Sequence, residues 1–305
     1  MSTHRRPGPT RNGPRRKGAR RNVGCLVALL LSVGVVVLAV VMIVVGVSYI
    51  LRDRPSGPPP RPTPLCQVEI ADQTTRITND QAWWTSIIIG TSVKRGLPAR
   101  AASIAMATVY QETDIRNLDH GDRDSVGLFQ QRPSQGWGTV EQIMDPYYST
   151  GKFYDALVKV DGWQDRDITE VAQEVQRSGF PDAYRQHETK ARTLASAFTG
   201  WDTAAVRCLY DQVDGDAKAL NSFLVKTLGI TKAKRDGATL TYRVADERTA
   251  WIVAHLAVAT GSRFGTESVR VADRSWQHTV DELGEWAELD EPLSKRRVVI
   301  TVASE

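Results

Sequence analysis

The sequence predicts a mainly α chain with one transmembrane helix, then a helical domain, then a small C-terminal α+β domain. Three observations carry this. From Val23 to Leu51 no residue is charged and Val, Leu and Ile dominate, enough for a helix to cross about 30 Å of hydrocarbon. From Thr78 to Trp201 apolar residues recur at helical spacing with short polar breaks, and no comparable strand pattern interrupts them. After Cys208 the character changes, and Thr239 to Val244 alternates like a strand. The 305 residues therefore divide into a basic cytoplasmic tail (1–22), a transmembrane helix (23–51), a Pro-rich linker (52–77), a helical domain (78–203) and an α+β domain (209–305).

Charge is distributed unevenly. Residues 1–22 hold eight Lys or Arg and no acid, which leaves 31 basic against 35 acidic residues from Val23 onward, a net −4. The basic pI of about 9.0 thus belongs to the tail, and a nucleic-acid partner is excluded on this arithmetic. The basic cluster precedes the apolar run and only Arg52, Asp53 and Arg54 follow closely, so the positive-inside rule puts the N-terminus in the cytoplasm and the rest outside. A cleaved signal peptide is the alternative, but the run exceeds a usual signal core and no small-residue cleavage pattern follows. Val23-Gly24-Cys25 looks like a lipoprotein box yet precedes the apolar run, so Cys25 reads as a small membrane residue.

The linker contains Pro-Ser-Gly-Pro-Pro-Pro-Arg-Pro-Thr-Pro at 55–64, a semi-rigid extended spacer. Trp83, Trp84, Ile87 and Ile88 lead a first helix that Gly96 ends, and Pro98 suits the first turn of the next. That second helix carries Ala101, Ala102, Ile104, Ala105, Met106 and Val109, small residues that allow close neighbours and burial over much of its circumference. Asp167 with Glu170 begins a helix over 168–177, which Ser178-Gly179 and Pro181 punctuate. Further on, Asp246 caps a helix bearing Ala254, Ala257, Val258 and Gly261, with strands over 268–272 and 298–302. Cys66 and Cys208 bracket the helical domain and could form a disulfide outside the membrane; the sequence alone does not fix whether their Cα atoms approach within range.

The chemistry is concentrated in Tyr110-Gln111-Glu112-Thr113-Asp114, a polar Gly and Asp loop, then Ser125-Val126-Gly127-Leu128-Phe129-Gln130-Gln131-Arg132-Pro133. Glu112 ends an apolar helix, where partial desolvation disfavours the charged carboxylate and raises its pKa toward what a general acid needs. That is the requirement for protonating a glycosidic oxygen.

Glu-Thr followed by Ser-x-Gly-Leu-Phe-Gln resembles the signature of goose-type lysozymes and lytic transglycosylases, whose pattern is Glu-Ser and then Gly-Leu-Met-Gln. Thr113 stands for the Ser and Phe129 for the Met. The likeness spans about residues 80–200 and looks closest to actinobacterial membrane-anchored wall-lytic proteins with a similar Val-Gln-Arg-Ser-Gly and Pro-Asp-Ala-Tyr segment. The resemblance implies that Glu112 acts as acid and then base while the substrate's N-acetyl group assists departure, without a second carboxylate. It also implies that Gln130 lines the cleft, that Thr113 contacts substrate beside the catalytic Glu, and that Tyr184 closes the far side, although Arg185 replaces the family's usual Asn. For the C-terminal domain, Arg248-Thr-Ala-Trp251 through Gly265 and Ser275-Trp276 resemble small domains appended to actinobacterial secreted proteins.

An inverting hydrolase would need a second carboxylate to activate water, for which Asp119, Asp122 and Asp124 are candidates, with a solvated polar loop as the plainer reading. Asp122-x-Asp124-x-x-Gly127 hints at a calcium loop whose later ligands are absent. Trp137 and Trp163 sit in glycine-containing turns, where each ring either underlies a sugar or packs into the core; Trp137 is taken as the substrate-binding one. His187 has no Cys or His partner at ligand spacing, so no metal site and no cofactor are expected. The expectation is a peptidoglycan lytic enzyme cutting between N-acetylmuramic acid and N-acetylglucosamine outside the membrane, its partners being glycan strands and the bilayer. The alternative is a non-catalytic wall-binding or secretion/conjugation scaffold module. A transporter or channel subunit is disfavoured by a single apolar helix without intramembrane charge.

Overall fold

The computed structural model describes residues 21–52, 62–176 and 183–304. The expected basic tail, apart from its last two residues, residues 53–61 of the Pro-rich linker, and the Ser178-Gly179-Pro181 punctuation lie outside the described residues. The chain forms two compact units, divided at residue 60. In the first, helix α1 (Arg21–Arg52) contains the uninterrupted apolar span Val27–Ile50, long and apolar enough to cross a membrane.

The second unit corrects the expectation of a mainly α chain: it is α+β, with two antiparallel sheets. Strand β1 (Leu65–Ile70) and strand β2 (Gln73–Ile77) form a hairpin where linker was expected. Its first strand buries Cys66, Gln67 and Val68 consecutively, so no period-two alternation announces it. Helices α2 (Asn79–Lys94) and α3 (Ala99–Thr113) follow. Thr78 and Gln81 close a capping box on α2, the Thr hydroxyl accepting from the Gln81 N–H and the Gln81 side chain accepting from the Thr78 N–H. Pro98 is the N-cap of α3 rather than its first residue.

Short α4 (Val140–Met144), α5 (Pro146–Leu157), α6 (Ile168–Gln176) and α7 (Glu188–Phe198) complete the helical part. They surround α3, which packs on α2, α5, α6 and α7; its run of alanines lets all four approach. Strand β3 (Val206–Leu209) then returns to pair with β1, placing Cys208 directly opposite Cys66. The two cysteines are bonded.

The chain continues through α8 (Ala217–Leu228), β4 (Lys234–Asp236), β5 (Thr239–Arg243), α9 (Glu247–Ala259), α10 (Gly261–Phe264), β6 (Thr266–Val271), β7 (Arg274–Gln277), β8 (Trp286–Glu288) and β9 (Arg297–Val302). The strands form a six-stranded sheet in the order β4-β5-β9-β6-β7-β8, and α9 covers one face by packing on β6 and β9. Residues 61–305 are one compact unit, so the boundary expected between 203 and 209 runs through a continuous core. Gly90 marks how close α2 and α8 come, because a Cβ there would lie 2.3 Å from the Thr227 methyl.

His255 ties these parts together. It is fully buried on α9, its Nδ1–H donating to the Ala197 carbonyl at 2.8 Å and its Nε2 accepting from the Ala205 N–H at 3.2 Å. A carbonyl only accepts and an N–H only donates, so both bonds require the neutral ring. Burial lowers its pKa from 6.5 to about 4.

Two outcomes are expected from this unit. Non-reducing mass analysis should find Cys66 and Cys208 without free thiols, and the Cys66→Ser/Cys208→Ser variant should lose about 4 kcal/mol of stability because the bond closes a long loop. Between pH 6.5 and about 4 the unfolded chain protonates His255 while the folded protein does not, so the stability it contributes is complete above that window and lost as pH falls through it, by about 3 kcal/mol. Denaturant titrations across that range should show this loss in the parent and a shallower one in His255→Gln.

Candidate active site

The site is built at the C-terminal end of α3. That helix stops because Asp114 and Ile115 both adopt left-handed backbone, with φ of 52° and 56°. The Asp114 N–H still bonds the Tyr110 carbonyl and the Ile115 N–H the Val109 carbonyl. Gln81 fixes the exit by donating from Nε2 to the Asp114 carbonyl at 2.8 Å. Glu112 therefore sits in the last turn, half-buried, where the negative end of the helix dipole opposes a further negative charge.

The Tyr184 hydroxyl, in a ring that is 1% exposed, donates to Glu112 Oε1 at 2.8 Å. Gln176, the last residue of α6, also hydrogen-bonds the Glu112 side chain and donates from Nε2 to the Phe129 carbonyl at 2.7 Å. One amide thus links the carboxyl to the motif's second half. Burial pushes the Glu112 carboxyl above the usual glutamate range, and the bonds from Tyr184 and Gln176 pull it partly back. Desolvation wins, so the group holds its proton to higher pH than a solvated glutamate does.

The second half of the motif is a tight hairpin. Val126 and Gln131 bridge each other, and Leu128 and Phe129 between them are buried, Phe129 stacking on Phe153 at 4.5 Å between ring centres. Gly127 is required: its φ is 82° and a Cβ would come within 2.9 Å of the Ile143 carbonyl. Thr113 joins this hairpin to α3. Its hydroxyl is buried and bonds the Val109 carbonyl at 3.1 Å and the Leu128 carbonyl at 2.9 Å, so Thr113, expected to touch substrate, instead braces the site from behind.

Gln130 is also turned to its own loop. Its amide accepts from the Ser125 hydroxyl at 3.0 Å and donates to the His120 and Gly127 carbonyls, each at 3.3 Å. Trp137 is half-buried and lines a groove of about 850 Å³ with Lys152, Lys159, Glu174 and Val175, whose lining does not include Glu112, Gln130 or Tyr184. Trp163 is a core residue, 5% exposed. His187 stacks on Tyr110 with ring centres 5.5 Å apart and bonds Gln111 at 3.1 Å, which holds the 183–187 segment on the end of α3.

Two carboxylates of the acidic loop, Asp119 and Asp124, are poor bases. The Arg132 guanidinium and the N–H and hydroxyl of Ser134 hold the Asp124 carboxyl well below the usual range. His120 lowers that of exposed Asp119, and exposed Asp122 lies 3.8 Å from Arg123. Among the described residues no group of three His, Cys, Asp or Glu side chains is placed to hold a metal ion. With its pKa raised by burial, the Glu112 carboxyl is chemically able to donate a proton and to take one back.

Sequence reasoning missed Gln176 as a site residue. Its signal was present in the Val175-Gln176 pair at the end of an amphipathic helix whose other buried positions are Ile168, Thr169, Val171 and Ala172; a long polar side chain there needs a partner across the core.

Because the Tyr184 bond favours the carboxylate, Tyr184→Phe should raise the Glu112 pKa further. Any activity limited at high pH by loss of that proton should then extend to higher pH in the variant, as a pH–rate profile would record. Compared with known proteins, the chain matches no family model, and no curated protein matches it significantly.

Proposed function

We propose that this chain is a peptidoglycan-cleaving enzyme of the goose-type lysozyme and lytic transglycosylase kind, with Glu112 as its catalytic acid, held outside the membrane by its N-terminal helix. The observation that carries the reading is the proton-retaining carboxyl at the end of α3, bonded by a buried tyrosine and by the amide that joins it to the Gly127–Gln130 hairpin.

In this reading protonated Glu112 gives its proton to the glycosidic oxygen between N-acetylmuramic acid and N-acetylglucosamine as that C–O bond breaks. The substrate's N-acetyl oxygen supports the anomeric carbon, and the Glu112 carboxylate then removes a proton from the sugar's own C6 hydroxyl as that oxygen closes an anhydro ring. The balance is one proton out and one back. Tyr184 and Gln176 steady the carboxylate between the two steps, which is when the negative charge exists. The low basicity of Asp119 and Asp124 favours this single-carboxylate route over one that needs a second base.

The Cys66–Cys208 bond supports an oxidising, extracytoplasmic setting for residues 61–305, as does the charge asymmetry around the apolar helix. The test is digestion of purified cell walls by the full chain in detergent, with mass analysis of the released fragments. Muropeptides with 1,6-anhydro ends are expected, and Glu112→Gln should reduce their release by about a hundredfold or more while melting no lower than the parent, because a half-buried carboxyl costs stability once ionised. Wall binding without fragment release, unchanged by Glu112→Gln, would replace the enzyme reading with that of a binding or scaffold module.

A further inference from the structure

The six-stranded sheet has one face under α9 and the other open. On the covered side lie Leu240, Tyr242, Val298 and Ile300, all buried. On the open side β5 presents Thr239, Thr241 and Arg243, and β9 begins with Arg297, which is paired directly across from Arg243. Two grooves run along this side, of about 490 and 410 Å³, and both are lined by Arg243 and Arg297. Lys232 and Lys234 extend the first and Arg296 the second.

All five cations are exposed, and among the described residues none makes an ion pair. Asp236, the one carboxylate lining either groove among the described residues, lies opposite Thr239, four positions along β5 from Arg243. The strip is strongly positive on a region that is net −4 from Val23 onward. Like charges directly opposite each other on adjacent strands destabilise a sheet, so the Arg243–Arg297 pair is held at a cost to stability. A ligand that binds between the two guanidiniums removes that cost.

We propose that this face binds a phosphodiester-linked polyol or sugar chain, the phosphates lying along the strip and the Arg243–Arg297 pair sharing one of them. A phosphodiester keeps one full negative charge on two free oxygens, one for each guanidinium fork, and repeats that charge along the chain as the cations repeat along the strip. The threonine hydroxyls of the first groove suit the hydroxyls of such a chain. The first groove has no apolar side chain in its lining, and the second has Pro292 and the half-buried Val244 and Leu293, without the Trp or Phe that faces entering a bilayer carry. The inference is independent of Glu112 and of the enzyme reading.

The test uses the full chain in detergent micelles, with the Lys and Arg of residues 1–22 replaced by Gln so that the tail contributes no binding. Its affinity for synthetic poly(glycerol phosphate) is measured beside uncharged dextran and phosphatidylglycerol vesicles. Binding of the phosphate polymer alone, weakening with salt and falling about tenfold or more in Arg243→Gln/Arg297→Gln, supports the assignment. The same double variant should melt at or above the parent temperature. Unchanged polymer binding in the variant, binding of vesicles in preference to the polymer, or a lower melting temperature, which would make the arginines structural, overturns it.

Discussion

The hydrogen bond from Tyr184 to Glu112 is the contact on which the rest depends, because it joins two segments 72 residues apart at a carboxyl whose pKa burial raises. Each neighbouring feature positions one end of it. The left-handed Asp114 and Ile115 stop α3 at Thr113, leaving Glu112 in the last turn. On the other side, Arg185 reaches Asp167 at 3.2 Å, and Asp167 caps α6 by accepting from the Thr169 N–H at 2.8 Å. The tyrosine, the N-terminus of α6 through Asp167 and its C-terminus through Gln176 therefore converge on one acid.

The opposing effects at Glu112 have a physical logic. A carboxyl with no hydrogen bonds in such a place would be too weak an acid to release its proton and too unstable as an anion to wait for another. A fully solvated one would be ionised near neutral pH. Burial with two donors lies between these limits, with desolvation dominant.

Much of this was legible before the fold was known. The helix ending at Glu112, the apolar span at the N-terminus and the strand from Thr239 are local patterns, and each is present. The three-stranded sheet was not legible, because β1 is buried continuously and its partner β3 lies 142 residues away at Cys208. Nor was the inward turn of Thr113 and Gln130: both are polar and next to the motif, and only the hairpin geometry fixed by Gly127 commits their side chains to backbone carbonyls and Ser125. His255 escaped for a similar reason, since a lone histidine among alanines gives no sign that carbonyl and amide partners await it on other elements.

Glu112 holds its proton above the range of an ordinary glutamate. The most direct measurement is a carbon-detected NMR titration of glutamate side-chain carboxyls in the full chain, with Glu112 assigned by comparison with Glu112→Gln. A Glu112 midpoint above those of the exposed glutamates is the predicted result, and a midpoint at or below theirs would contradict the account.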